Sequence, residues 1–254
     1  TLKMIQYFIR RACGNLFVPP NVMICIPSGI TEVEERAVKD AAREAGARRT
    51  YLIEEPTAAA IGAGLNIYAP EGNMVVDIGG GTTDIAVLSL GGVVVSKSIK
   101  IAGDKFDDAI VRYVRRKYNV LIGERSAEGI KKRIGTVYTR PQTVSVDVKG
   151  RCVNQGLPKV ITVTSREMIE ALAEPVSAIL DAICEVIEQT PPELLGDILR
   201  NGIVMTGGGS LLYGFDQLVT RATGIKTRIA PDAVSCVAIG TGKSLDNLDM
   251  FEGR

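Results

Sequence analysis

The sequence predicts an α/β fold, because apolar strands alternate with amphipathic helices along most of the chain. Two predicted strands, residues 21–26 and 49–53, have a helix between them. Three more, at residues 75–78, 85–90 and 93–101, follow one another directly, and glycine-rich turns join them into an antiparallel meander. A strand–helix–strand unit combined with a meander is typical of the α/β class.

Composition excludes several classes of function. The 254 residues suffice for one large or two small domains, and a net charge of +1 gives no argument for nucleic acid as a partner. The chain has no histidine, which excludes histidine-based triads and histidine-ligated metals. Its five cysteines are far apart with no CxxC pair, as expected of reduced thiols in a cytosol. No apolar run approaches the roughly 20 residues of a membrane-spanning helix.

The N-terminal segment predicts a helix followed by an apolar loop. Residues 2–12 have an apolar face and two arginines near their C-terminal end, where cations suit the helix dipole, and Gly14 ends this helix. Leu16 and Phe17 follow in a stretch that ends in two prolines, so it is a loop that cannot enter the interior of a sheet.

A capping box marks the next helix. Thr31 and Glu34 have the required spacing and Gly46 ends the helix, after which the strand at residues 49–53 begins. The face of this helix that is expected to be buried comprises Val33, Ala37, Val38, Ala41 and Ala45.

Glu55 lies at the junction between that strand and a third helix. Pro56 fits the first helical turn, and the small residues behind it allow another backbone to approach closely. Taken alone, Glu55 suits the positive end of the helix dipole. A second role is to orient or deprotonate a water that attacks a phosphate.

The most informative segment is MVVDIGGGTTD at residues 74–84. Asp77 lies near the end of a short apolar strand, where another hydrophobic residue is expected. The turn that follows can close its N–H groups on an anion and adds two hydroxyl donors; it comprises Gly79, Gly80, Gly81, Thr82 and Thr83. Because another strand follows, a Walker A loop or a Rossmann turn is excluded, since both open a helix. A plain glycine-rich hairpin with a stray acid is the alternative.

Beyond the meander, a helix is predicted from Gly103, and Ser126 is predicted to cap the next one. Glu128 and Lys131 lie three residues apart on one face of that helix. A surface ion pair between them would explain both residues.

A hairpin and a long helix follow. The hairpin pairs residues 142–149 with residues 159–164. Thr164 and Glu167 then predict a second capping box, at the start of a long helix that Pro175 is expected to kink.

A second glycine-rich segment, IVMTGGGSLL, occupies residues 203–212. It predicts a strand, a glycine turn and a helix with Ser210 as N-cap, so that N–H groups of the helix N-terminus point at whatever the glycines admit. A generic turn between strand and helix is the alternative. A closing helix is predicted over residues 234–246.

Five segments, in this order, resemble the MreB branch of the actin superfamily, the bacterial actin homologues that set rod shape. They are IEEPTAAAIGAGL, MVVDIGGGTTD, KIAGDKFD, GERSAEGIKKRIG and IVMTGGGSLL. The resemblance covers essentially the whole chain and implies the actin-like, duplicated ribonuclease-H-like two-domain ATPase fold. The acidic glycine–threonine hairpin that opens the first half of that fold is not found ahead of Leu2, so we expect a truncated first half.

The resemblance also implies a division into two domains, the first of which is a remnant. Domain I comprises residues 1–68 and 232–254, and domain II comprises residues 69–231, with a nucleotide-binding core at 72–103 and 199–231 and an inserted subdomain at 104–198.

ATP and Mg²⁺ are the cofactors that the resemblance implies. The first glycine turn would hold the β- and γ-phosphates, Asp77 would hold Mg²⁺ through water, and Glu55 would act on the attacking water in a slow, filament-linked hydrolysis. The residues implied to contact the nucleotide are Gly79, Gly80, Gly81, Thr82, Thr83, Glu128, Gly129, Ile130, Lys131, Gly207, Gly208, Gly209, Ser210 and Leu211.

The implied function is a filament of this chain at the inner face of the cytoplasmic membrane, which organises cell-wall synthesis together with the synthesis machinery. Leu16 and Phe17 are candidates for shallow membrane insertion, with packing against the core as the alternative. A sugar or acetate kinase and a chaperone ATPase share the fold. We find no aspartate-base motif for the first and expect no peptide-binding domain after Arg254.

Overall fold

The computed structural model describes residues 2–14, 18–246 and 248; the two candidate membrane residues, Leu16 and Phe17, lie outside the described residues. The helices are α1 (Leu2–Cys13), α2 (Glu32–Glu44), α3 (Glu55–Gly62), α4 (Gly103–Tyr118), α5 (Glu124–Ile134), α6 (Ser165–Ala171), α7 (Ala173–Gln189), α8 (Pro192–Asn201), α9 (Phe215–Thr223) and α10 (Cys236–Ser244). The strands are β1 (Asn21–Ile26), β2 (Arg49–Glu54), β3 (Asn73–Ile78), β4 (Thr83–Ser89), β5 (Gly92–Ile99), β6 (Val120–Leu121), β7 (Ser145–Cys152), β8 (Pro158–Thr164), β9 (Ile203–Thr206) and β10 (Thr227–Ile229).

The main sheet has five strands in the order β10-β9-β3-β4-β5. β3, β4 and β5 are antiparallel neighbours, as the meander predicts, whereas β9 lies parallel to β3 and β10 lies parallel to β9. β1 and β2 form a separate parallel pair, and β6, β7 and β8 form an antiparallel sheet. The predicted α/β class is confirmed. Among the helices that the structure describes, none combines the length and apolar character that crossing a bilayer requires.

Helices cover both faces of the main sheet. Because successive residues of a strand point to opposite faces, Met74 and Val76 join the larger core with Phe106 of α4, while Val75 packs with Ala59 of α3 in a second, smaller core. Every residue of β3 is buried. An acid in this strand therefore enters a region that hydrophobic residues otherwise fill.

The capping box that opens α2 is confirmed. The Thr31 hydroxyl accepts a hydrogen bond from the Glu34 N–H at 3.3 Å, and the Glu34 carboxylate accepts one from the Thr31 N–H at 2.8 Å. The predicted buried face is wrong for Val33, which is 78% exposed, and for Ala37, which is also exposed; the buried residue of α2 is Ala42. α2 packs against α1 and β2, and neither covers the side that carries Val33.

The start of α5 and the helix around Pro175 can also be compared with their sequence predictions. Ser126 is not an N-cap, because α5 already begins at Glu124, and Gly123, in an extended conformation, precedes it. Pro175 was expected to kink one long helix, and the structure instead divides that helix at Leu172 into α6 and α7, because proline has no N–H to donate to the carbonyl four residues earlier.

Close contact between α3 and α10 depends on two glycines. A Cβ added to Gly240 would lie 1.8 Å from the carbonyl oxygen of Ala58, and one added to Gly62 would lie 1.9 Å from the carbonyl oxygen of Cys236. Neither distance is sterically possible, so the two backbones touch directly. The small residues after Pro56 thus admit a neighbouring backbone, as the sequence predicts.

We expect Gly240→Ala to lower the free energy of unfolding by about 1–3 kcal/mol or more, because the added methyl group forces α10 away from α3. Gly242→Ala on the same helix is the matched control, since a Cβ there meets nothing within 4 Å. The control should be neutral or stabilising by up to about 1 kcal/mol. Urea unfolding of both variants measures the difference, and equal midpoints would contradict the close contact.

Candidate functional site

A cavity of about 1080 Å³ opens where the two glycine-rich turns meet. It brings together residues from segments far apart in the sequence. The sequence-predicted site residues that line it are Asp77, Gly79, Gly80, Glu128, Lys131, Gly207, Gly208, Gly209 and Leu211. The predicted residues that are not part of this lining are Glu55, Gly81, Thr82, Thr83, Gly129, Ile130 and Ser210.

The first glycine turn is held through its carbonyl groups, which leaves N–H groups available. The N–H of Gly79 donates to the carbonyl of Thr82 at 2.9 Å and closes the turn. The carbonyl oxygens of Gly79 and Gly80 accept from the first two N–H groups of α4, at 3.1 and 2.8 Å. Among the described residues, the N–H groups of residues 80–82 have no acceptor. Adjacent free N–H groups of this kind form a binding site for an anion.

The second glycine turn packs against the end of β3. Gly207 has a φ of 79°, and a Cβ there would lie 2.3 Å from the carbonyl oxygen of Ile78 and 2.8 Å from a carboxylate oxygen of Asp77. Only glycine fits such a position. The predicted helical exit with Ser210 as N-cap is wrong: the N–H and hydroxyl of Ser210 both donate to the carbonyl of Gly207, at 3.3 and 2.7 Å, and the segment forms a short 3₁₀ turn instead.

Three carboxylates gather beside the first turn. Asp77 and Asp84 are direct partners across β3 and β4, and strand alternation puts both on the side of Val75, which α3 covers. Glu55 begins α3. Asp77 accepts a 2.7 Å hydrogen bond from the Thr206 hydroxyl, but Asp84 is 1% exposed and neither of its carboxylate oxygens has a partner among the described residues.

Burial and the neighbouring negative charges disfavour the ionised forms of Asp77 and Glu55. Burial raises the pKa of Asp77, the hydrogen bond from Thr206 lowers it, and the charge of Asp84 raises it again. Burial also raises the pKa of Glu55, and the charges of Asp84 and Asp77 add to this effect. A bound cation would offset the repulsion among the carboxylates, and its waters would supply the missing hydrogen bonds.

This cluster fits a hydrated magnesium ion. Within the part of the chain that the structure describes, no group of three or more acidic, cysteine or histidine side chains is placed to hold a metal by itself. Asp77 and Asp84 offer oxygen donors, and Mg²⁺ typically keeps several waters and binds through one or two carboxylates. The unpartnered oxygens of Asp84 are the atoms that such waters would satisfy.

On the other side of the cavity, Lys131 projects from α5. Its ammonium donates to the carboxylate of Asp107 at 2.7 Å and to the carbonyl of Gly103 at 2.9 Å. Glu128 pairs instead with Lys132 at 2.6 Å, so the surface ion pair considered for Glu128 and Lys131 does not form. Burial raises the pKa of Asp107 although Lys131 lowers it, and one of its oxygens is buried without a partner.

Comparison with known proteins adds to this geometry. The family model described as MreB/Mbl protein matches residues 1–253. The chain belongs to the MreB/Mbl family. It is 50% identical over 255 residues to the cell shape-determining protein MreB of Escherichia coli (strain K12), an alignment that covers all of this chain and 74% of that relative. It is 49% identical over 255 residues to the cell shape-determining protein Mbl of Bacillus subtilis (strain 168), covering all of this chain and 77% of that one.

Solved structures match equally well. MreB5 of Spiroplasma citri bound to ADP superposes with a TM-score of 0.93 at 40% identity, covering 99% of this chain and 77% of that chain. Its complex with AMPPNP gives a TM-score of 0.92. A double helical filament of MamK gives 0.80 at 20% identity and supports the fold alone. This MreB/Mbl family member thus has the actin-like fold that its sequence predicts.

Among the site residues of this MreB/Mbl family member that were not predicted, Asp84 and Asp107 are the two buried acids. Asp84 has a usable signal, because counting outward from a four-residue turn at residues 79–82 pairs it with Asp77. Asp107 ends the segment KIAGDKFD, but no local pattern links it to Lys131, since their contact depends on how α4 packs on α5.

Two predicted nucleotide contacts have buried side chains in this family member. Ile130 is 1% exposed and belongs to the larger core. The Thr83 side chain is completely buried, and its hydroxyl donates to the carbonyl of Ile101 at 2.6 Å. Any part that these two residues play in binding therefore falls to their backbone or to the neighbours they position.

We expect Asp84→Asn to raise the free energy of unfolding by about 1–3 kcal/mol at pH 7 without nucleotide or divalent cations, because it removes a buried charge that lacks partners. The gain in the free energy of unfolding should shrink as the pH falls toward 4, since the raised pKa values of Asp77 and Glu55 let these acids take up protons at a higher pH than free carboxyl groups do, which weakens the repulsion. Urea unfolding at pH 7 and at pH 4 measures this change in the free energy of unfolding. Asp181→Asn, at an exposed aspartate, is the control. A loss of stability at pH 7 would contradict the argument.

Proposed function

We propose that this chain binds ATP with Mg²⁺ and assembles into actin-like cytoskeletal filaments that determine cell shape. The observation that carries the proposal is the cavity between two glycine turns, where free N–H groups adjoin two buried carboxylates. Support comes from MreB5 of Spiroplasma citri, 40% identical, whose structures are bound to ADP and to AMPPNP. The relatives MreB and Mbl are cell shape-determining proteins.

In this proposal the phosphates of the nucleotide lie between the two turns. The free N–H groups of residues 80–82 face the terminal phosphates. The space beside Gly208 in the second turn holds the rest of the triphosphate. Asp77 and Asp84 hold the waters of Mg²⁺, which when bound neutralises phosphate charge. Lys131 lines the same cavity and adds a positive charge.

Glu55 is proposed to act on the water that attacks the γ-phosphate. It stands at the first turn of α3, and its pKa is raised by burial and by the charges of Asp84 and Asp77. A carboxylate with a raised pKa is a better proton acceptor near neutral pH. We propose that this hydrolysis is slow and times the disassembly of filaments.

Two units are proposed to close around the nucleotide: residues 1–68 with 232–254, and residues 69–231. Val234 lies just before α10 and Val237 lies within it. Both line the cavity together with the glycine turns of the other unit. A ligand that contacts both units favours their closed arrangement. Heterologous contacts between closed subunits then extend as an open filament.

Membrane attachment is proposed for the loop that contains Leu16 and Phe17. A single apolar pair adds little binding energy, but a filament repeats it many times. The filament would thereby lie at the inner face of the cytoplasmic membrane, where the cell-wall synthesis machinery is its proposed partner.

Nucleotide binding is tested by adding a side chain at the second glycine turn, where it would occupy part of the cavity. Gly208→Val should weaken ATP binding with Mg²⁺ by at least about tenfold, or about 1.4 kcal/mol, because its side chain enters the cavity, while the fold should persist since a Cβ there meets nothing within 4 Å. Gly196→Val on α8, also open on all sides, is the matched control. Isothermal titration measures both. Equal affinities would remove the second turn from the site, and a parent that does not bind ATP would end the proposal.

Hydrolysis and assembly are tested with Glu55→Gln. We expect phosphate release to fall at least about tenfold, since the variant cannot accept a proton, while ATP affinity changes little. Filaments pelleted with ATP should then persist longer than those of the parent. Unchanged phosphate release would exclude Glu55 from the chemistry. If the parent forms no filaments by pelleting and electron microscopy, the cytoskeletal proposal fails.

Membrane binding is tested with the double substitution Leu16→Ser/Phe17→Ser. Co-sedimentation of filaments with anionic lipid vesicles should decrease several-fold, because the apolar pair is lost from every subunit. Leu157→Ser is the control, since Leu157 is an exposed leucine, at 61%, on the turn between β7 and β8. If the double variant pellets with vesicles as well as the parent does, the loop is not the membrane contact.

A further inference from the structure

Thr206, the last residue of β9, holds one oxygen of the Asp77 carboxylate. The parallel pairing of β9 with β3 makes these two residues direct partners. The Thr206 side chain is completely buried, and its hydroxyl donates to Oδ1 of Asp77 at 2.7 Å. A hydrogen bond from a hydroxyl to an ionised carboxylate is about twice as strong as one between neutral groups. One side chain of β9 thus fixes an acid of β3.

This contact decides which oxygen of Asp77 is left for a ligand. Oδ1 also lies against Gly207, where an added Cβ would be 2.8 Å from it. Oδ1 is therefore enclosed by the end of β9 and the second glycine turn. Asp77 lines the cavity, and its other oxygen, Oδ2, accepts no hydrogen bond from any residue that the structure describes. Oδ2 is thus the oxygen available to a group in the cavity.

The donor is held rigidly before any ligand arrives. Every residue of β9 is buried, and the N–H of Gly207 donates to the carbonyl of Ala233 at 2.8 Å, which fixes the chain just after Thr206. Threonine is also branched at Cβ, so its side chain has few rotamers in a strand. A carboxylate that is locked by such a neighbour is pre-organised for binding.

Burial by itself does not account for this hydrogen bond. Asp84, the partner of Asp77 across β4, is 1% exposed against 7% for Asp77, yet neither of its oxygens has a partner among the described residues. The hydroxyl donor is therefore placed on the acid that lines the cavity and not on the more deeply buried one. Orientation of a ligand-binding carboxylate requires this choice.

We propose that Thr206 is a positioning residue for Mg²⁺: its hydroxyl holds Oδ1 of Asp77 so that Oδ2 accepts a hydrogen bond from a water of the ion. Carboxylates that hold metals are themselves hydrogen-bonded, and loss of such outer partners typically weakens metal binding by about 10–100-fold. This inference rests on the proposed nucleotide-binding function and adds to it the residue that orients the metal-binding carboxylate.

The test separates the metal from the nucleotide. The affinity for ADP is measured by isothermal titration with Mg²⁺ and with EDTA, and the ratio of the two affinities gives the contribution of the metal. Thr206→Val keeps the shape but loses the hydroxyl, so the ratio should fall by about tenfold while the affinity in EDTA stays unchanged. Thr206→Ser keeps the hydroxyl and should retain the ratio of the parent. Thr190→Val is the control, because it removes a buried hydroxyl at the end of α7, which donates to the carbonyl of Val186 at 2.6 Å.

A second variant covers the case in which Thr206→Val does not fold. Thr206→Cys places a thiol, a weaker donor, at the same point, so the ratio should fall several-fold, and electron paramagnetic resonance of Mn²⁺ titrated into the ADP complex measures the loss of metal affinity directly.

Three results would overturn the inference. They are an unchanged ratio in Thr206→Val, or in Thr206→Cys if the valine variant does not fold; equal losses of affinity with Mg²⁺ and with EDTA; and a loss in Thr206→Ser as large as in Thr206→Val. A parent whose affinity for ADP is the same with and without Mg²⁺ would overturn it while leaving the phosphate site intact. A parent that does not bind ADP would overturn the proposed function itself.

Discussion

The antiparallel register of β3 and β4 is the constraint from which the candidate site follows. Because Ile78 pairs with Thr83, the turn has four residues and Asp77 falls opposite Asp84. Alternation along the strands then sends both carboxylates to the side that α3 covers. A shift of one strand by one residue would turn its acid toward the larger core around Phe106. One pairing pattern thus determines where the glycine turn projects and where the acids are buried.

The acids in this arrangement oppose folding of the chain by itself. Like charges that face each other across a sheet destabilise it, and a buried carboxylate such as Asp84 lacks partners within the described residues. In the cavity, Asp107 likewise has one buried carboxylate oxygen that lacks a partner within the described residues. Proteins commonly trade stability for function at binding sites, and here the imbalance lies where a cation and hydroxyl groups of a ligand would correct it.

A direct backbone contact connects this site to the last helix. Gly62 and Gly240 let the backbones of α3 and α10 touch, so a shift of either helix toward the other is blocked by the facing backbone. α3 begins with Glu55, and Val237 of α10 lines the cavity. A ligand that pushed α10 toward α3 would therefore press on the helix that carries Glu55. This contact gives the fold a physical route between occupancy of the cavity and the carboxylate proposed to act on water.

By itself the sequence determined the α/β class, the meander, the capping box at Thr31, an irregularity of the helix at Pro175 and the glycine turns of the site, because each depends on residues close together in the chain. The tertiary structure decided which segments meet. It placed β9 beside β3, although Thr206 and Asp77 are 129 positions apart, gave Lys131 an acid of α4 as its partner, and buried Ser210 in a 3₁₀ turn. Such contacts depend on packing between distant elements, which no local pattern encodes.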